Sequence, residues 1–208
     1  MRPSLYLFFF FVLFLCCKQE SSTAVKDLPT VEKDSIKEPQ PKPKELPIWT
    51  DVPSLIPDAL VDIRYATENN FVGEVLYECP ACLLRPPAAE ALARIANSLR
   101  QKGFRLILFD CYRPGAVQER LWEIMPNATY VTPPSKGSMH NRGLAVDVGL
   151  ATLEGVPLDM GTEYDFFGRP AHHDYFDLPQ DVLERRTTLK ETMASEGFKH
   201  IRSEWWHY

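Results

Sequence analysis

Positive charge is not in excess in this sequence. Lys and Arg number 23 against 28 Asp and Glu, for a formal net charge of -5. A nucleic-acid binder usually carries a basic patch or stripe, so no nucleic-acid partner is expected. Cysteine is scarce, five in 208 residues, which excludes a small cystine-stapled fold. No internal repeat is visible, which argues against a repeat architecture. A membrane-spanning helix needs roughly 20 apolar residues, whereas the N-terminal apolar run, Leu5 to Leu15, has eleven. What is present is an ordinary globular composition, 45% hydrophobic, long enough for one well-cored domain.

The short apolar run has a different use. Preceded by Arg2 and followed by Cys16-Cys17-Lys18, it fits the apolar core of a secretory signal over residues 1–17. An apolar run that ends at a cysteine resembles a bacterial lipoprotein signal, which makes Cys16 and Cys17 lipidation candidates. Plain secretion and a retained anchor are the alternatives. Residues 18–47 are rich in Lys, Glu and Pro, lack aromatics, and balance six Lys against six acids. Such a stretch buries too little apolar area to offset its ordering entropy and is expected to be a tether. The compact domain is then 48–208. The expected location is outside the cytoplasm, periplasmic or envelope-associated, with membrane contact only through the lipid anchor.

Within that domain, Leu92, Ile95, Ala96 and Leu99 recur at helical spacing, predicting a helix over 86–102 that stops at Gly103. Residues 105–109 read as a buried strand and Asp110-Cys111-Tyr112-Arg113-Pro114 as the turn after it. A second helix is predicted at 116–124 and a Pro-, Gly- and Ser-punctuated loop at 127–138. A strand is predicted at 144–150 with Val146 and Val148 on one face and Asp147 on the other. A long helix at 179–196 capped by Gly197 and a final strand at 198–202 complete the reading. Helices and strands do not alternate regularly, so the expected class is α+β, a central antiparallel or mixed sheet with flanking helices.

The chemistry gathers in two places. In Ser138-Met139-His140-Asn141-Arg142-Gly143-Leu144-Ala145-Val146-Asp147, a carboxylate sits mid-strand among apolar residues, where burial demands a cation: Arg, Lys or a metal. His140, at the strand entrance, is placed to reach the same cation. In Ser203-Glu204-Trp205-Trp206-His207-Tyr208, His207 offers a third ligand of the kind catalytic zinc takes, with a fourth position left for water. Glu204 lies three residues before it, at a distance suited to a general base. Read without that metal, the Glu-Trp-Trp-His segment is an aromatic anchor closing the core.

Taken together, these segments resemble the D-alanyl-D-alanine dipeptidases, the VanX-type zinc peptidases, which are related to zinc D,D-carboxypeptidases and to the Hedgehog signalling domain. The resemblance runs through Asp62-Ile63-Arg64-Tyr65-Ala66-Thr67 with Asn70-Phe71, Asp110 to Pro114, the Ser138 to Asp147 segment, Met160 to Phe166, His172-His173 and the terminal Glu-Trp-Trp-His. It implies the Hedgehog/DD-peptidase-like zinc fold and one Zn2+ per chain held by His140, Asp147 and His207. It implies Glu204 as base, Arg113 as stabiliser of the oxyanion, and Tyr65, Ser138 and Asp165 as contacts of a small dipeptide substrate. The implied reaction is hydrolysis of D-Ala-D-Ala to two D-alanines. The rival activity is a zinc D,D-carboxypeptidase trimming peptidoglycan stem peptides, and a metal-stabilised binding module is the non-enzymatic rival.

Three smaller expectations complete the reading. His172-His173 is supporting structure rather than a ligand set. Cys79-Pro80-Ala81-Cys82 forms a local disulfide or two free thiols, with a zinc site the weakest option. Cys111 is a buried thiol.

Overall fold

Apolar spacing and punctuation account for the long elements. The computed structural model describes residues 48–208; the signal segment, Cys16, Cys17 and the tether lie outside the described residues. In chain order the elements are β1 (Thr50–Asp51), α1 (Val52–Leu55), β2 (Leu60–Val61), β3 (Leu83–Leu84), α2 (Pro86–Gln101), β4 (Phe104–Asp110), α3 (Gly115–Ile124), β5 (Asp147–Thr152) and α4 (Gln180–Ser195). Short 3-10 turns fall at Arg64–Ala66, His140–Arg142 and Arg169–Ala171.

Helix α2 opens on Pro86-Pro87, where a missing N–H is no loss, and buries Ala89, Leu92, Ile95, Ala96 and Leu99. It packs that face on β4 and a second side on α4. Strand β4 is apolar without alternation because both of its faces are covered, and Leu106, Ile107, Leu108 and Phe109 are all buried. It is the middle strand of a three-stranded sheet, β2-β4-β5, parallel to β2 and antiparallel to β5. The fold is therefore α+β around a mixed sheet. A separate antiparallel pair, β1-β3, lies at the start of α2. Burying a Leu or Ile side chain contributes about 1.5–3 kcal/mol, so the Leu and Ile side chains buried between α2 and β4 contribute substantially to the core.

The ladder between β4 and β5 pairs Phe104 with Thr152 at one end and Asp110 with Asp147 at the other, with an irregularity between Leu108 and Asp110. Such a bulge re-aims side chains beside functional sites. Here it brings two aspartates to the same end of the sheet.

Four expectations are corrected. No strand forms over 198–202; Lys199, His200 and Arg202 are exposed there, and the sheet edge they would need is already taken. The last three residues take it: Val146 N–H donates to Tyr208 O, Tyr208 N–H to Val146 O, and Val148 N–H to Trp206 O. The strand expected over 144–150 begins instead at Asp147. Leu144 is exposed in the turn that follows Gly143. Cys79 is a free, exposed cysteine and does not pair with Cys82. Cys82 instead forms a disulfide with Cys111, with Cα atoms 5.1 Å apart, so Cys111 is no thiol. Sequence distance misleads here, because the pairing of Tyr112 N–H with Leu83 O draws the turn after β4 onto β3.

Candidate active site

Asp147 opens β5, and the antiparallel bridge to the C-terminal segment sets His207 opposite it. His140 begins the 3-10 turn before the strand, its N–H donating to Ser138 Oγ at 3.2 Å. The loop makes its reversal at Gly143, which has φ of +67°; a Cβ there would sit 2.2 Å from the Trp49 ring. Three side chains distant in sequence thus converge. His140 Nε2 lies 3.2 Å from Asp147 Oδ1, His207 Nδ1 lies 3.0 Å from the same oxygen, and the two nitrogens are 3.1 Å apart. All three donor atoms fall within 4.8 Å of one another.

The donor set tests well against a metal. Ligand atoms at 2.0–2.2 Å from a tetrahedral zinc are separated by roughly 3.3–3.6 Å, close to these spacings. His140 Nδ1 is 2.8 Å from Cys111 O. Donation to that carbonyl puts the proton on Nδ1 and turns the Nε2 lone pair toward Asp147. Without a metal ion, Nε2 can carry a second proton: burial alone would raise the Asp147 carboxyl, but the charge of His140 and hydrogen bonds from both imidazoles then hold it far below the usual carboxylate range. Burial pushes the His207 imidazole down, which favours the neutral, ligating form.

Arg113 stands beside this trio, buried at 8% exposure. Its Nε and Nη2 both reach Asp110 Oδ2, at 3.0 and 2.7 Å, and Nη1 donates to Gln118 Oε1. Nη2 is 3.9 Å from Asp147 Oδ2. The guanidinium therefore sits between the two aspartates that the bulge brought together. Asp110, fully buried, also accepts from Tyr77 Oη at 2.6 Å and from Cys111 N–H at 2.9 Å. Asn141 donates to Arg113 O, tying the His140 turn to the arginine turn.

Glu204 is 6% exposed and its Oε1 has no hydrogen-bond partner among the described residues. Burial pushes its carboxyl well up, and the nearby charges of Asp147 and Asp165 push it further. A buried, unpaired carboxylate is costly, so its placement calls for a functional reason. On the far wall, Asp165 occupies left-handed backbone, φ of 59°, and accepts from Tyr65 Oη at 2.9 Å. Burial, then the charge of Asp147, pushes it up to about 8. Tyr164, its neighbour, donates to Asp147 Oδ2 at 3.0 Å. All eight residues expected at the site (Tyr65, Arg113, Ser138, His140, Asp147, Asp165, Glu204 and His207) line one cavity of about 190 Å³. Phe71, Tyr130 and Phe167 close its side, their rings in contact at 4.9 Å between Phe71 and Phe167 and between Tyr130 and Phe167. His172 and His173 are not among the residues that line it.

Comparison with known proteins decides the family. The model of the D-ala-D-ala dipeptidase family, peptidase family M15, matches residues 48–208. The chain belongs to that family. It is a peptidase, and its family is one of metallopeptidases. It is 34% identical over 158 residues to the D-alanyl-D-alanine dipeptidase of Escherichia coli (strain K12), covering 76% of this chain and 82% of that one. It is 29% identical over 168 residues to the D-alanyl-D-alanine dipeptidase of Enterococcus faecium and 30% identical over 168 residues to that of Streptomyces coelicolor, each spanning 71% of this chain and 83% of the relative.

For this dipeptidase-family member, sequence reasoning assigned no role to Asp110, Gln118, Asn141 or Tyr164, each of which holds a site residue in place. Asp110 had a visible signal, an acid at the end of a buried strand three residues before an arginine. Tyr164 had none: nothing local says that its hydroxyl crosses to Asp147.

Proposed function

We propose that the protein hydrolyses D-Ala-D-Ala to two D-alanines, with one zinc ion held by His140, Asp147 and His207. The observation that carries this reading is the convergence of those three donors within 4.8 Å beside the unpartnered Glu204 Oε1. Zinc in that position supplies Lewis acidity, which polarises a carbonyl and makes a water acidic near neutral pH. Glu204 takes the proton from the attacking water and passes it to the leaving nitrogen as the C–N bond breaks. Its raised carboxyl pKa suits a group that must both accept and return a proton.

Arg113 meets the negative charge that develops on the carbonyl oxygen. Its three contacts to Asp110 and Gln118 use three of the five guanidinium N–H groups. Two donors remain on a cation already fixed in place, which needs no reorganisation during the reaction. Asp165, with Tyr65 on its carboxylate, receives the substrate ammonium. An acylated amine brings no positive charge to that acid and leaves it only the Tyr65 hydroxyl, so the free amine is favoured. Ser138 lines the dipeptide pocket, and its hydroxyl also receives the His140 N–H. The closed aromatic side of the cavity works in the same direction, toward a dipeptide rather than a stem peptide.

The same reading puts the enzyme outside the cytoplasm, anchored through Cys16 or Cys17 and acting on wall-derived or external dipeptide. It is supported by the apolar run at residues 5–15 and by the Cys82–Cys111 disulfide, a bond that persists in oxidising compartments. Hydrolysis rates on D-Ala-D-Ala, N-acetyl-D-Ala-D-Ala and a stem pentapeptide test the substrate assignment. The dipeptide is expected to be strongly preferred, and faster cleavage of the pentapeptide would make the enzyme a D,D-carboxypeptidase.

A further inference from the structure

Helix α4 buries Val182, Arg186, Leu189, Thr192 and Met193. Three of the five are apolar, the Thr192 hydroxyl donates to Thr188 O, and Arg186 is the one charged member. Arg186 is 5% exposed, and no carboxylate lies within salt-bridge distance of it among the described residues. Burial lowers it to about 10, leaving it a cation at neutral pH. A buried charge without a counter-ion must be held by hydrogen bonds. Nε donates to Met160 O at 2.6 Å, and Nη1 donates to Pro170 O at 3.0 Å and His172 O at 3.4 Å.

Those three carbonyls bracket one loop. Met160 is at its start and Pro170 and His172 at its end, and between them lie Tyr164 and Asp165. At Gly161, φ of +88°, a Cβ would come within 3.0 Å of Arg186 Nη2, so the guanidinium occupies the space that a larger residue would fill. Trp205 makes a further fastening, donating from Nε1 to Thr162 Oγ1 at 2.8 Å. Asp165 needs such support, because its left-handed backbone is unfavourable for a non-glycine residue and persists only where the surroundings enforce it.

We propose that Arg186 is a positioning residue for substrate selection: by drawing the two ends of the 160–172 loop onto α4, it holds Asp165 where a free substrate ammonium is bound. This rests on the reading of Asp165 as the ammonium partner. Arg186 lines no part of the cavity and hydrogen-bonds to none of His140, Asp147 and His207, so its influence falls on binding rather than on the bond-breaking step. A planar donor that spans separate carbonyls is not replaced by an ammonium on a flexible stem.

The test is steady-state kinetics of Arg186→Met and Arg186→Lys, with Asp165→Asn alongside, on D-Ala-D-Ala and N-acetyl-D-Ala-D-Ala, together with zinc content per chain. Arg186→Met is expected to raise KM for the dipeptide about ten-fold and to cut discrimination against the acetylated substrate by a similar factor. kcat is expected to stay within about two-fold and zinc content to stay unchanged. Arg186→Lys is expected to fall between the two, and it carries the test if the Met variant does not fold. If Asp165→Asn raises KM while the Arg186 variants do not, the positioning role is overturned and the ammonium site stands. If Asp165→Asn leaves both KM and discrimination unchanged, the ammonium reading fails and this inference falls with it. Loss of zinc and kcat together in the Arg186 variants would make Arg186 a general structural residue.

Discussion

The two walls of the cavity are built in different ways. On one, Asp147 and His207 face each other across a backbone ladder, and His140 is fastened by its ring to a carbonyl of the turn after β4. Those positions follow from main-chain pairing and a disulfide beneath it. On the other, Asp165 rides a loop outside the sheet, fastened largely by side chains: Tyr65 on its carboxylate, Trp205 on Thr162, Arg186 on the loop ends. The difference separates two tasks. Groups that share a metal must keep their spacing to a few tenths of an ångström, which a ladder provides. The second wall is placed mainly by side-chain contacts, with one tie to the first, the Tyr164 hydroxyl on Asp147 Oδ2.

Substitutions should therefore divide along the same line. The largest effect is expected at Glu204, on the metal side. Glu204→Gln should lower kcat by about 10²–10⁴ with zinc content and KM little changed; undiminished turnover would remove Glu204 as the base. Next is the disulfide beneath His140. Closing a loop of 29 residues, it contributes about 3–4 kcal/mol. The double substitution Cys82→Ala with Cys111→Ala should lower stability by that order in denaturant unfolding and weaken zinc retention. Discrimination between the dipeptide and its acetylated form should be untouched, and if it collapses the two walls are not independent.

A smaller effect is expected at Asp165, and it depends on pH. Burial and the Asp147 charge push its carboxyl up to about 8, which favours the protonated form at neutral pH, so binding an ammonium is coupled to release of that proton. KM for the dipeptide should therefore fall as pH rises toward about 8, then rise as the substrate amine itself deprotonates. Asp165→Asn should raise KM roughly 30-fold, about 2 kcal/mol of lost pairing, and flatten the acidic limb. The stability consequence has the opposite sense. A folded carboxyl raised above its unfolded value of 3.8 favours the folded state at low pH. That contribution fades as pH climbs from about 4 to 8. Thermal unfolding of the metal-free Asp165→Asn protein should thus show a gain over the parent that grows across that window, and a constant offset would contradict the shifted carboxyl.

Much of this was legible in the residues. Helix α2 announced itself by its apolar spacing and its Pro and Gly ends, and the buried strand β4 by an unbroken apolar run. His140, Asp147, Glu204 and His207 stand out in the sequence by residue type and by the family resemblance, with a core aspartate and an aromatic C-terminal anchor as the other readings. The failures share a physical cause, which is that they depend on long-range pairing. The terminal strand was sought at 198–202, whereas the pairing edge is used by 206–208. For Cys82 the sequence offers a disulfide with Cys79 or a free thiol, and chain reversal delivers Cys111 instead. Arg186 carried an overlooked signal, a charged residue at a position where the periodicity of α4 calls for an apolar one.

The central claim is that His140, Asp147 and His207 hold a single zinc ion. Metal analysis of purified wild-type protein and of His207→Ala tests it most directly. Close to one zinc per chain is expected in the wild type and almost none in the variant. A folded wild type that binds no zinc in stoichiometric amount, or a His207→Ala protein that retains it in full, would contradict the claim.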